Sequence, residues 1–327
     1  MLLAAAGQDP REPARTSVRL DRAFSLAAHP DGRVIAAVAL DDHGAVTTLE
    51  RANDGRLGLV GRLEAPGTSG LCRVRVAADA ARLLIAGYES GTLTTVPIDA
   101  AGRPTGEART IAFEGSGPDP ERQSRPFAHD ALDVDEVVLV ADLGTDLVRR
   151  VVDGRHGLRE LEPIRCPPGS GPRHLAAVGP GLVAASGELD SSLILIRVGP
   201  DGGEVVDTIP ATSVPTADRN YPSSVVGDPA RAIVYIANRG ADTIMTARVD
   251  GERLVTIGER PSGGVRPEHL ALADDRLIVA HSVDGAVAAL PIVDGLPGAP
   301  VVIATVPGAV WVEPLPQRHA SKPATAR

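Results

Sequence analysis

Short apolar runs separated by turn residues recur along the chain as a three-strand unit. In the stretch opening at Phe24, an apolar strand meets the turn Pro30-Asp31-Gly32. A second apolar strand, a polar turn and a third, alternating strand follow. The same succession opens at Leu71, Phe127, Arg173, Pro222 and Pro267, so the six starts lie 47, 56, 46, 49 and 45 residues apart. Alternation and β-branched runs mark strands, and no segment carries the 3.6-residue period of an amphipathic helix. A fourth strand per unit falls in the intervening stretches, such as Arg56 to Arg62 or Glu204 to Thr208.

A four-stranded repeat of this length is a propeller blade, and the pattern predicts an all-β, seven-bladed β-propeller. The seventh blade is expected from both ends of the chain. Val301 to Leu315 supplies strands, and Met1 to Ala6 with Ser17 to Leu20 complete the sheet, so that an N-terminal strand closes the last blade. Such closure removes the open edges that make repeats aggregate. One domain then covers 1–316, and the polar stretch 317–327 reads as a disordered tail. A β-sandwich is the competing architecture. WD-type signatures are missing, since Trp311 is the sole tryptophan.

Composition narrows the partners. Apolar residues make up 43% of the chain, enough for a sizeable core, and the 35 Gly and 28 Pro are spread as turn punctuation. The net charge is -9, and Lys322 is the only lysine beside many arginines. An acidic chain without basic runs argues against nucleic acid, while single guanidinium groups still suit an anionic ligand. No run of 18 apolar residues is present, so no membrane span is expected. The opening apolar run is too short for a signal peptide core, which makes the cytoplasm the expected compartment. Cys72 and Cys166 are expected as free thiols, Cys72 as a small core residue rather than a nucleophile. A monomer is the default.

The hairpin topology also places polar residues. The first two strands of a blade are antiparallel, so the start of one lies beside the end of the other on one face of the ring. That face receives Arg73 with Tyr88 and Glu89, His129 with Asp142, and Arg173 and His174 with Glu188. It also receives Tyr221 and Ser223 with Arg239, and Glu268 and His269 with His281. Converging Arg, His and Glu side chains around a concavity point to a ligand site, though blade turns are polar in any case. No nucleophile elbow, zinc-protease motif, phosphate loop or helix-flanked calcium loop occurs.

These residues resemble the propeller-type lactonase family, which includes a bacterial 6-phosphogluconolactonase and a fungal carboxy-muconate lactonising enzyme. Gly171-Pro172-Arg173-His174 followed by Gly187-Glu188-Leu189-Asp190 is similar to its paired signature. Arg125-Pro126-Phe127-Ala128-His129-Asp130 resembles its third blade, and Ala237-Asn238-Arg239-Gly240 its fifth. The resemblance runs from about Phe24 through the sixth blade. It implies catalytic residues His129, Arg173, Glu188 and Arg239, no metal and no cofactor, and as substrate a small anionic lactone, sugar-derived or carboxylated, such as 6-phosphogluconolactone. His174, Asp142, Tyr221, His269 and His281 are the accompanying substrate-binding candidates. Phe127, Gly187, Glu268 and Ser282 depart from the family pattern, and Glu268 in place of an arginine would weaken phosphate binding. Arg266 matches no family position and serves as an indifferent neighbour.

Lactone opening needs an activated water, a stabilised oxyanion and a protonated leaving alkoxide. The expected assignment makes Glu188 or His129 the base and the other the acid, with Arg173 and Arg239 on the oxyanion or a substrate carboxylate. A muconate-type lactonising enzyme, adding a carboxylate across an alkene, would use the same groups and is the alternative reading. The rival readings are a metal-dependent hydrolase, with Glu188 and rim histidines as ligands, and a non-catalytic binding propeller.

Overall fold

The computed structural model describes residues 2–5, 16–20, 22–32, 34–39, 42, 44–54, 56–155 and 157–315. Within them all regular structure is β. Strands β1 (Leu2–Ala5) and β2 (Thr16–Arg19) form a two-stranded antiparallel pair. Six larger sheets follow in chain order, each a meander of neighbouring antiparallel strands. The first holds β3 (Ala23–Ala28), β4 (Val34–Ala39), β5 (Ala45–Arg51) and β6 (Leu57–Glu64). The second holds β7 (Leu71–Val76), β8 (Arg82–Gly87), β9 (Thr92–Pro97) and β10 (Arg109–Ala112). In the third are β11 (Ala128–Val134), β12 (Val137–Asp142), β13 (Leu147–Gly154) and β14 (Gly157–Arg165). The fourth comprises β15 (Pro172–Gly179), β16 (Leu182–Gly187), β17 (Ser192–Val198) and β18 (Gly203–Pro210). The fifth comprises β19 (Tyr221–Asp228), β20 (Ile233–Arg239), β21 (Thr243–Asp250) and β22 (Arg253–Pro261). The sixth has β23 (Pro267–Ala273), β24 (Arg276–His281), β25 (Ala286–Val293), the short β26 (Leu296–Pro297) and β27 (Val301–Thr305).

Innermost strands β3, β7, β11, β15, β19 and β23 stand side by side around the axis, which makes the molecule a propeller. The core is correspondingly a series of inter-blade layers. Strand β12, Val-Val-Leu-Val-Ala-Asp, shows why its sequence is an unbroken apolar run. Val138 and Val140 pack toward the second blade with Leu84 and Leu93, whereas Val137, Leu139 and Ala141 pack toward the fourth with Val183 and Ile194. A strand with a blade on each side must be apolar on both faces, whereas the outermost strand β6 is mostly exposed. Leu139 has no exposed surface, so truncating it to alanine costs about 2–5 kcal/mol.

The seventh unit departs from the expectation. Val301–Thr305 pairs with Ala286–Ala289 of β25 as the outer strand of the sixth blade, not as part of a seventh. Leu2–Ala5 pairs with Thr16–Arg19 rather than closing the last blade. The physical reason is local: β25 needs a partner on its outer edge, and β27, mostly exposed, has the character of an outermost strand. Between the sixth and first blades lies the irregular stretch Ala309 to Leu315. Its Trp311 stacks on His269 of β23, and Glu313 Oε1 accepts a hydrogen bond from the Ala28 amide of β3 at 3.1 Å. Val18, Leu20 and Leu315 pack on Leu49 of the first blade. Met1, Ala6 and the tail 317–327 lie outside the described residues.

Candidate active site

One backbone irregularity recurs at the start of all six innermost strands. Pairing with the second strand skips Phe24, Cys72, His129, Arg173-His174, Ser223-Ser224 and Glu268 in successive blades. Such β-bulges re-aim side chains that a regular pleat would send into a blade interface. Four of the residues freed in this way, His129, Arg173, His174 and Glu268, meet near the axis. Gly171 sets up the fourth blade's bulge. Its φ is +58°, and a Cβ there would lie 2.5 Å from Leu189 Cγ, so only glycine fits.

Glu188, at the end of the second strand of that blade, is the hub. Its Oε2 lies 2.8 Å from Arg173 Nε and accepts from Arg239 Nη2 at 2.6 Å. Its Oε1 accepts from Arg122 Nη2 at 2.7 Å. Although burial opposes ionisation, Arg239 and Arg173 hold the Glu188 carboxyl far below the usual carboxylate range. Glu268 forms a second anionic point. Its Oε2 accepts from Arg239 Nη1 at 3.2 Å and lies 3.8 Å from Arg173 Nη2, while Oε1 accepts from Arg266 Nε at 3.1 Å and Ser282 Oγ at 3.3 Å. Arg266, expected to be an indifferent neighbour, is therefore tied to the cluster.

Beside this hub three imidazoles follow one another across the axis. His129 and His174 have ring centroids 5.4 Å apart, His174 and His269 6.2 Å. Burial, reinforced by Arg173, pushes His129 down to about 3. His174 and His269 are held well below their ordinary value by burial and then by Arg173 and Arg73 respectively. Each accepts at Nε2 from a guanidinium at 3.1 Å, His174 from Arg173 Nη1 and His269 from Arg73 Nη1. Both are thus neutral, with the proton on Nδ1, and that of His174 has no hydrogen-bond partner among the described residues. Tyr88 packs edge-on to His129 at 5.4 Å.

The floor is a second charge cluster. Asp130 Oδ1 accepts from Arg73 Nε and Arg75 Nε at 2.9 Å each, and Oδ2 from Arg75 Nη2 at 2.7 Å and the Leu175 amide at 2.9 Å. Against the cost of burial, Arg73 and Arg75 hold Asp130 down to about 2. Arg73 lies over the Trp311 ring, its Cζ 4.4 Å from the centroid.

The proposed set therefore divides. His129, Arg173, Glu188, Arg239, His174 and His269 come together. Asp142 does not: Oδ1 accepts from the Phe127 and Gly144 amides and Oδ2 from two Arg149 nitrogens, so its bonding capacity is spent on the turn. His281 likewise uses both ring nitrogens, Nδ1 at 2.9 Å from the Ala286 carbonyl and Nε2 at 3.0 Å from Ser262 Oγ. Asp142 and His281 pair regularly with Ala128 and Pro267 just before the bulges. Tyr221 contributes its carbonyl, which accepts from Arg239 Nε at 3.0 Å, and its ring carries Arg219.

Arg122 was not foreseen. It sits in the loop between β10 and β11, where Asp119 Oδ1 accepts from the Glu121 and Arg122 amides and buried Gln123 ties the loop to the Leu143 carbonyl and Asp146. Among the described residues no group of three His, Cys, Asp or Glu is arranged to hold a metal ion. Among the described residues no helix is long and apolar enough to cross a membrane. Cys72 and Cys166 are free and buried in different inter-blade layers.

Comparison with known proteins likewise gives a β-propeller. Residues 12–313 match the family described as lactonase, 7-bladed beta-propeller. An uncharacterised protein of Lactococcus lactis is 30% identical over 268 residues, covering 79% of this chain and 74% of its own. The 6-phosphogluconolactonase of Bacillus subtilis is 30% identical over 186 residues, 55% of this chain and 52% of that protein. The crystal structure of a periplasmic gluconolactonase from Pseudomonas aeruginosa superposes with a TM-score of 0.77 at 18% identity, over 90% of this chain and 88% of that one.

Proposed function

The chain belongs to the lactonase family of seven-bladed β-propellers, and from that premise we propose that it hydrolyses a sugar-derived or carboxylated lactone by acid–base chemistry without a metal ion. The observation that carries this reading is the convergence of Arg122, Arg173 and Arg239 on Glu188 beside a neutral His129.

In this reading the open assignment of base and acid resolves in favour of His129 in both roles. Glu188 stays ionised at ordinary pH and has no proton to give. His129 is an unprotonated imidazole, and the Glu188 charge favours its protonated form. It takes a proton from the attacking water as the water oxygen bonds to the lactone carbonyl carbon. The ring C–O bond then breaks, and the same proton passes from His129 to the departing alkoxide. Arg173 and Arg239 hold the developing oxyanion, their charge strengthened where water is excluded. Glu188 fixes the guanidinium groups and stabilises the transient imidazolium, as the buried carboxylate does in a serine-protease triad. Lactonisation is the microscopic reverse over the same groups.

The test is a panel of lactones, phosphorylated and not, assayed by proton release with and without chelator. The reading expects turnover unaffected by chelator. Activity that chelator abolishes and a divalent ion restores would replace it with metal-dependent hydrolysis.

A further inference from the structure

The two most buried arginines of the site, Arg173 and Arg239, both face the carboxylates of Glu188 and Glu268. Arg239 gives Nε to the Tyr221 carbonyl, Nη1 to Glu268 and Nη2 to Glu188. Arg173 meets Glu188 with Nε, His174 with Nη1 and Glu268 with Nη2. Glu268 is only 10% exposed, and its other oxygen takes Arg266 and Ser282. Its carboxylate thus occupies the place where a planar or tetrahedral anion would be gripped by the Arg173 and Arg239 forks, with Arg266 as a third donor.

Resting on the lactonase reading, we propose that Glu268 is a specificity-determining residue: a built-in anion that fills the arginine subsite and turns the site toward uncharged sugar lactones, away from phosphorylated ones. A bound phosphate must either expel Glu268 from three donors or lie against its carboxylate, and repulsion of this kind is how a site rejects an unwanted ligand. A neutral lactone ring meets no such conflict, because its carbonyl oxygen gains charge only in the transition state. On this proposal the preferred substrate is an uncharged lactone, where the family resemblance implies an anionic one.

The experiment compares D-glucono-1,5-lactone with its 6-phosphate ester for the wild type and Glu268→Gln, with inorganic phosphate binding measured by calorimetry on both proteins. The wild type should prefer the neutral lactone in kcat/KM by about tenfold or more, a difference of about 1.4 kcal/mol. Glu268→Gln, which keeps the shape and removes the charge, should shift that ratio toward the phosphate ester by at least tenfold and tighten phosphate binding. A wild type that prefers the ester, or a ratio unchanged by the substitution, overturns the proposal. If neither lactone is turned over by the wild type, it is the lactonase reading that fails. Phosphate binding then decides the subsite: tighter binding to Glu268→Gln supports it, and equal binding overturns it.

Discussion

The indole of Trp311 lies face to face with the imidazole of His269, ring centroids 3.5 Å apart and planes 23° from parallel. A residue of the irregular C-terminal stretch thereby becomes part of the floor beneath the site, where Arg73 both lies over the indole and bonds His269. Because Trp311 is the sole tryptophan, its emission reports on that floor alone. Trp311→Ala should cost about 3–5 kcal/mol, seen as a lower urea midpoint by circular dichroism. An unchanged midpoint would separate the C-terminal stretch from the fold's stability.

Acid should weaken the protein well above the carboxylate range. His129, His174 and His269 have folded pKa values below the unfolded value of about 6.5. Below that pH the unfolded chain takes up protons that the native state refuses, so stability complete above about 6.5 is lost as pH falls. One unit lower, the three together account for about 4 kcal/mol at most. Asp130, held at about 2, adds loss of the same sign only from about pH 4 downward. Urea midpoints at pH 7.5 and 5.5 check this, and equal midpoints would mean that the imidazoles are not buried neutral.

Both thiols should be silent in the native state. Burial pushes Cys72 and Cys166 up to about 12 each, so neither supplies thiolate at neutral pH. Ellman's reagent should titrate two thiols in denaturant and none on a matching time scale without it. Rapid native labelling, or a bridge found by non-reducing mass spectrometry, would contradict the packing.

Much of this was legible beforehand, and the failures have physical causes. Six hairpin units were visible because inner strands such as Val137–Asp142 are apolar on both faces. The outer strand Val301–Thr305 was assigned to the wrong unit because an exposed fourth strand needs only a backbone partner and carries little pattern. His129, Arg173, Glu188 and Arg239 were placed together because hairpin geometry brings strand starts and ends to one face. The bulges were not legible, so Asp142 and His281 looked equivalent to residues the bulges re-aim. Arg122 was missed because its loop, held by Asp119 and Gln123, has no periodicity. That loop also explains why the 56-residue spacing exceeds the others.

The seventh position is open to a direct check. Val18 and Leu20 pack on Leu49, and β2 lies against β6. Deleting residues 1–19 should therefore lower the melting temperature by several degrees, since burying even one such side chain is worth about 1.5–3 kcal/mol. A truncated protein that melts with the full chain would mean that the ring closes without these strands.

The account stands or falls on His129 acting from within the arginine-held site. The measurement is kcat/KM for the best neutral lactone, corrected for spontaneous ring opening, for the wild type and His129→Asn, with circular dichroism and thermal melting confirming an intact fold. The account predicts a loss of about a hundredfold or more, roughly 3 kcal/mol of transition-state stabilisation. It also predicts a wild-type rate with no acid limb near pH 6.5, since His129 loses its proton at about 3. His129→Asn at wild-type rate, or a wild type no faster than water, would contradict it.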